Sequence, residues 1–72
     1  MAEAYQRGDR VIWRWGNGRA EGRVEEVHTE RVVRVIKGAR IVRNGSPERP
    51  AYLIVQADGG EVLKLHTEIS LG

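Results

Sequence analysis

The sequence predicts an all-β protein, a small bent barrel of five to six antiparallel strands with a short helical turn near the C-terminus. Short runs of alternating apolar and polar residues are separated by clusters of Gly, Asn and Pro, at the spacing typical of a small barrel. No stretch has the apolar periodicity that would predict a helix of more than one turn. A chain of 72 residues suits one domain. We therefore assign residues 1–72 to a single barrel and residues 1–6 to a disordered tail.

The first predicted strand covers residues 9–15 and alternates in polarity. Val11, Trp13 and Trp15 share one face of it, which indicates a half-buried strand. Residues 16–18, Gly-Asn-Gly, follow directly. Because Gly and Asn accept positive φ at low cost, this tripeptide predicts a tight hairpin turn.

The second predicted strand is long, from residue 19 to residue 29. Val24 and Val27 have opposite parity, so both cannot face the same core from a flat strand. A bulge or bend near residues 25–26 would reconcile them. A strongly bent second strand is also what a small barrel requires.

The third and fourth predicted strands, residues 31–36 and 40–43, join through a short turn at residues 37–39 that contains glycine. Both faces of this hairpin are half apolar. Either the hairpin is covered on both faces or it offers apolar surface to another molecule. One face carries Val33, Val35 and Val42, and the other carries Val32, Arg34, Ile36, Ile41 and Arg43.

The C-terminal half begins with a loop at residues 44–50, which hold two prolines and a glycine. Residues 51–57 form the most apolar strand, which we expect to be central. A turn at residues 58–60 leads to the last strand, residues 61–66. Leu63 and Leu65 face inward there, with Val62, Lys64 and His66 opposite. Residues 67–70 predict one helical turn, with Thr67 as its N-cap.

Composition narrows the function. Without cysteine there is neither a disulfide nor a zinc–thiolate site, and a reducing compartment is favoured. No apolar run approaches the length of about 20 residues that a membrane span needs, and the N-terminus has no apolar signal region. We expect a cytoplasmic protein with no membrane contact. No motif places a base beside a nucleophile, so we expect a non-enzyme without cofactor or metal.

The residues that mark the predicted turns and strands resemble, in order and spacing, those of a bacterial and fungal family, the hypervirulence-associated TUDOR-domain proteins. The resemblance covers almost the whole chain. It is carried by Gly8-Asp9-x-Val11-x-Trp13, Gly22-x-Val24, Val27-x-Thr29-Glu30, Arg34-x-Ile36-Lys37-Gly38, Arg43-Asn44-x-Ser46-Pro47-x-x-Pro50-x-Tyr52, Asp58-Gly59 and Leu63-Lys64-x-His66. It implies an SH3/Tudor-like barrel in a small stand-alone protein and leaves the ligand open.

The aromatic residues suggest one type of site. Tudor-like barrels often hold a methylated ammonium in a cage of aromatic side chains. Trp13 fits the core better, and Tyr52 is expected to be half-buried with its hydroxyl hydrogen-bonded. Trp15, beside the glycine turn at the barrel rim, is the best exposed candidate.

The hairpin of residues 31–43 suggests two further types of binding site. Its cations, Arg34, Lys37 and Arg43, could bind a nucleic-acid backbone beside Trp15, or they could simply balance neighbouring glutamates. Its exposed valines and isoleucines could instead accept a strand from a peptide, a protein or a second copy.

The histidines, His28 and His66, are too few for a zinc site without other ligands. Lys64 and His66 share a strand face that could serve an anion, although surface polar residues explain them as well. The leading function is a protein- or peptide-binding module that could self-associate, and nucleic-acid binding is the alternative. The candidate ligand-binding residues are Trp15, Arg34, Ile36, Lys37, Ile41, Arg43, Tyr52, Lys64 and His66.

Overall fold

In the computed structural model, which describes residues 4–72, the chain forms β-strands and one short 3₁₀ turn. No helix in this part of the chain is long and apolar enough to cross a membrane. The strands are β1 (Arg10–Trp15), β2 (Gly18–His28), β3 (Arg31–Ile36), β4 (Ala39–Asn44), β5 (Ala51–Val55), β6 (Glu61–Leu65) and β7 (Ser70–Leu71), and the 3₁₀ turn is His66–Glu68.

The strands form two antiparallel sheets. The larger has the order β6-β5-β2-β1-β7, and β3 and β4 form a separate two-stranded sheet. The all-β prediction and the C-terminal turn are confirmed. Two details differ: β7 adds a seventh strand, and backbone hydrogen bonds do not close the barrel. The β3–β4 hairpin packs against the curled sheet without joining its ladder.

The β1–β2 hairpin forms as the sequence predicts. Trp15 pairs with Gly18, which leaves Gly16 and Asn17 as a two-residue loop. Gly16 has φ of +55°, a conformation that glycine adopts without steric cost.

The predicted irregularity in β2 is present. Val24 pairs with Ile54, but the register then shifts so that Glu26 pairs with Leu53 and Val27 with Tyr52. This bulge brings the side chains of Val24 and Val27 to the same face of the sheet despite their opposite parity.

Strand β5 is covered on both faces. Its Tyr52 and Ile54 lie in one core cluster, together with Val11, Trp13, Val24 and Ile69. We call this side of the sheet the Tyr52 face. On the opposite side, the Leu53 face, a second cluster contains Val32, Ala51, Leu53 and Leu63. Burial on both sides explains the near-continuous apolar sequence of β5.

The N-terminal segment contributes to the core. Residues 1–3 of the predicted tail lie outside the described residues. Tyr5 packs against the Tyr52-face cluster, and its N–H donates a 3.0 Å hydrogen bond to the Tyr52 hydroxyl. In the turn that follows, the Asp9 carboxylate accepts a 2.8 Å hydrogen bond from the N–H of Gln6.

The cap of the 3₁₀ turn differs from the prediction. Thr67 lies within the turn, and Leu65 occupies the cap position. The Glu68 carboxylate accepts a 2.7 Å hydrogen bond from the Leu65 N–H. The turn is therefore held from its third residue rather than by a threonine hydroxyl.

Candidate functional site

The inward face of the β3–β4 hairpin forms part of the core. Val32 is buried in the Leu53-face cluster, and Ile36 and Ile41 pack against it while partly buried. The sequence left open whether this hairpin is packed or free. Its isoleucine side, which the sequence proposed for ligand binding, is packed.

The two arginines on that inward face are paired. Arg34 lies opposite Ile41 in the hairpin and forms an ion pair with Glu26 of β2. Arg43 lies 3.4 Å from the Glu68 carboxylate, measured from its Nε atom. These side chains keep about a third of their surface in water. Both charges are nevertheless matched: Arg34 by a glutamate of the neighbouring strand, as the balanced-charge interpretation expected, and Arg43 by Glu68, which that interpretation did not include.

Glu26 sits at the centre of a small charge cluster. The His28 ring is 2.7 Å from its Oε1 atom, and Arg34 contacts the same oxygen. The hydrogen bond from His28 and the charge of Arg34 hold the pKa of Glu26 below its ordinary value of 4.5, although desolvation acts in the opposite direction. Glu26 therefore stays ionised at neutral pH and fixes β3 beside β2.

The outward face of the hairpin is apolar along its middle and basic at its ends. Val33 pairs with Val42, and Val35 pairs with Arg40. The side chain of Val35 is 70% exposed, which is unusual for a valine within a strand. Arg31 and Arg40 are exposed and form no ion pair with the described residues.

The outer edge of β3 has no strand hydrogen-bonded to it. The two-residue turn Lys37–Gly38, with φ of +52° and +78°, makes Ile36 and Ala39 the first hydrogen-bonded pair of the ladder. Pairs then alternate along the hairpin. Val33 and Val35 therefore direct their N–H and C=O groups away from β4, and no backbone hydrogen bond between described residues satisfies them.

The outer edge of β4 is less open. The guanidinium of Arg43 donates a 2.9 Å hydrogen bond to the outward carbonyl of Val42. Strand β4 also contacts β6 more extensively than β3 does. A strand that joins this hairpin therefore has better access to β3 than to β4.

A shallow groove of about 400 Å³ lies at the rim of the molecule. Four of the predicted site residues meet there: Trp15, Ile36, Lys37 and Lys64. Trp15 is 73% exposed, as expected of a rim residue. We call this the rim groove. Its remaining lining residues are Trp13, Ala20, Gln56, Glu61 and Val62.

Two further predicted site residues are in the interior. Tyr52 is fully buried rather than half-buried, and His66, interpreted as a surface group, is 9% exposed. The Tyr52 hydroxyl lies 3.0 Å from Nδ1 of His66, and the Tyr5 ring stacks on the imidazole. Burial raises the pKa of Tyr52 above its ordinary value of 10. Tyr52 and His66 are thus removed from any surface site, and His66 is not available beside Lys64 as the sequence predicted.

Sequence reasoning missed the contribution of Tyr5, because a contact 47 positions away leaves no local pattern. It also assigned ligand binding to the inward side of the hairpin. The apolar character of both faces of residues 31–36 was the signal that one side is packed and the other is uncovered. Among residues 4–72 there is no group of three or more potential metal ligands.

Comparison with known proteins identifies the domain type. A family model described as "Hypervirulence associated proteins TUDOR domain" matches residues 8–69. This span covers every strand and turn except β7 and includes both the hairpin and the rim groove. No curated protein and no solved structure matches the chain.

Proposed function

Because the chain belongs to the family of hypervirulence-associated proteins with a TUDOR domain, we propose that it is a non-catalytic binding module that takes up an extended segment of protein along the outer edge of β3. Tudor domains are in general binding modules without catalytic activity. The open edge of β3 is the observation that carries the proposal. It offers unpaired backbone groups beside the exposed Val35 and the partly buried Val33.

Strand addition explains why these features occur together. The outward N–H groups of Val33 and Val35 donate hydrogen bonds to an incoming strand, and their C=O groups accept hydrogen bonds from it. Its side chains cover Val35, whose exposure would otherwise be unfavourable. An uncovered apolar edge is normally avoided in soluble proteins because it invites pairing, so its retention supports a partner.

Nucleic-acid binding is the second candidate. Arg31, Lys37 and Arg40 are exposed and unpaired within residues 4–72, which favours contact with phosphates. Arg34 and Arg43, the cations on which the sequence-based hypothesis rested, are engaged by Glu26 and Glu68. Bases stack on aromatic side chains, but Arg31 and Arg40 lie beside valines, and only Lys37 shares a surface with an aromatic side chain, Trp15 in the rim groove. Protein binding therefore leads.

The test is peptide selection with two proline variants. A library of short random peptides is panned against the immobilised protein, and the enriched peptides are titrated by fluorescence anisotropy. Val35→Pro removes an N–H that points away from the hairpin, at the edge of β3. Arg40→Pro removes the equivalent N–H from the same cross-strand pair, at the edge of β4, and serves as the matched control.

We expect Val35→Pro to weaken peptide binding at least about tenfold and Arg40→Pro to leave it within about twofold. Circular dichroism checks that both variants stay folded. Equal effects of the two variants, or no enriched peptide at all, would contradict the proposal. A titration with labelled single-stranded DNA and RNA tests the second candidate. Affinity that falls steeply with added salt and falls further in Arg31→Ala and Arg40→Ala would favour it.

A further inference from the structure

We infer that the strand taken up by β3 is the β3 strand of a second copy of this chain, paired antiparallel about a two-fold axis at Val33. This inference rests on the proposed function, since it names the occupant of the same edge. It depends on the register that residues 31–35, Arg-Val-Val-Arg-Val, allow when the segment faces itself. A symmetric dimer requires a self-complementary surface.

With the axis at Val33, every opposed pair is compatible. Val33 faces Val33 of the second copy, Arg31 faces Val35, and Val32 faces Arg34. No arginine is placed opposite an arginine, although the segment contains two. The residues whose backbone groups point outward, Arg31, Val33 and Val35, meet as hydrogen-bonded pairs.

Other registers are worse. An axis at Arg34 or at Arg31 places that arginine directly opposite its own copy, and like charges in that position are destabilising. An axis at Val32 avoids this repulsion, but because β3 begins at Arg31 it pairs only residues 31–33. The Val33 axis pairs residues 31–35 and is the longest register free of opposed arginines.

The outward face of the hairpin supports the same register. Val33 lies beside Val42 in each copy, so the two-fold axis builds a continuous row of four valines across the joined hairpins. The exposed Val35 lies next to Arg31 of the second copy, whose methylene stem can cover it. On the inward face, Arg34 approaches Val32 of the second copy while its charge stays paired with Glu26.

Single cysteines test the register in the full chain, which contains no cysteine of its own. In the proposed dimer the Cα atoms of the two Val33 residues are about 5.5 Å apart, as in any hydrogen-bonded antiparallel pair. That distance is within the range that a disulfide bridges. The two Val35 residues lie about 13 Å apart along the strands, because four residue spacings separate them.

We expect Val33→Cys to form a disulfide-linked dimer under mild oxidation at least about tenfold faster than Val35→Cys. An equimolar mixture of Arg31→Cys and Val35→Cys should give the mixed dimer in preference to either homodimer. Val35 is the most exposed valine of the hairpin, so random collision would favour the opposite order. Faster cross-linking of Val35→Cys than of Val33→Cys would overturn the inference.

Sedimentation of the unmodified chain completes the test. We expect the mass to rise toward that of the dimer as the protein concentration increases. Val35→Pro should keep the protein monomeric, whereas Arg40→Pro should not. A monomer at millimolar concentration would overturn self-pairing. If the chain is monomeric but Val35→Pro, unlike Arg40→Pro, still abolishes peptide binding, the proposed function stands and β3 takes up a strand other than its own copy. If the two proline variants bound peptides equally, the proposed function itself would fail.

Discussion

The Tyr52 hydroxyl and Nδ1 of His66 are 3.0 Å apart in the core, and they join β5 to the 3₁₀ turn. The same hydroxyl accepts a hydrogen bond from the N–H of Tyr5. The hydroxyl and His66 Nδ1 share a second hydrogen bond, whose direction is set by the tautomer of the imidazole. Three segments that are distant in sequence are therefore fixed by one oxygen atom.

Removal of that oxygen should destabilise the protein. Tyr52→Phe leaves the Tyr5 N–H and His66 Nδ1 without their partner, at a cost of about 1–3 kcal/mol in the free energy of unfolding. Urea denaturation measures the loss. Tyr5→Phe is the control, because its hydroxyl makes only a 3.3 Å contact with the Ile69 carbonyl in a partly buried site. An equal loss in both variants would mean that the buried network is not the cause.

Substitution of the two tryptophans by alanine should affect stability to very different extents. Trp13 is 5% exposed within the Tyr52-face cluster, so Trp13→Ala should cost about 3–5 kcal/mol of stability. Trp15 is 73% exposed, and Trp15→Ala should change stability by no more than about 0.5 kcal/mol. Thermal or urea unfolding of the two variants distinguishes them. A Trp13→Ala protein as stable as the parent would show that the interior has been placed incorrectly.

Gly22 should tolerate no side chain. A Cβ atom there would lie 2.7 Å from both Ile54 Cγ2 and the Val55 carbonyl oxygen. Gly22→Ala should therefore displace β5 from β2 and lower the unfolding free energy by about 1–3 kcal/mol. Gly18→Ala is the matched control, because a Cβ at Gly18 meets no atom within 4 Å. The idea fails if the two variants have the same denaturation midpoint.

Acid should weaken the contact between β2 and β3. The folded-state pKa of Glu26 is below its ordinary value of 4.5, owing mainly to His28 and then to Arg34. Ionised Glu26 therefore contributes stability that is present above pH 4.5 and is lost as the pH falls through the lowered value. Urea midpoints of the parent and of Glu26→Gln should converge as the pH falls from about 6 to about 3. A constant separation between the two curves would contradict this assignment.

Local patterns were sufficient where the structure depends on neighbouring residues. The alternation of Val11 and Trp13, the Gly16-Asn17 loop and the parity conflict between Val24 and Val27 each predicted a feature that the structure confirms. In each case the physical cause lies within a few residues of chain.

Contacts between residues far apart in the sequence could not be predicted from local patterns. The burial of His66 depends on Tyr5, which is 61 positions earlier, and nothing in the sequence near either residue indicates the contact. The pairing of Arg43 with Glu68 has the same character. The sequence indicated the hairpin of residues 31–43 as a candidate binding surface, but packing determines which of its faces is exposed.

Amide hydrogen exchange followed by NMR measures whether the outer edge of β3 is open. In dilute protein, the amides of Val33 and Val35 should exchange rapidly, while those of Arg34 and Ile36, bonded to β4, should be protected. At high concentration the Val33 and Val35 amides should gain protection as a second strand pairs with them. Strong protection of Val33 and Val35 in dilute protein would rule out an open edge, because it would show that this edge is already paired within one chain.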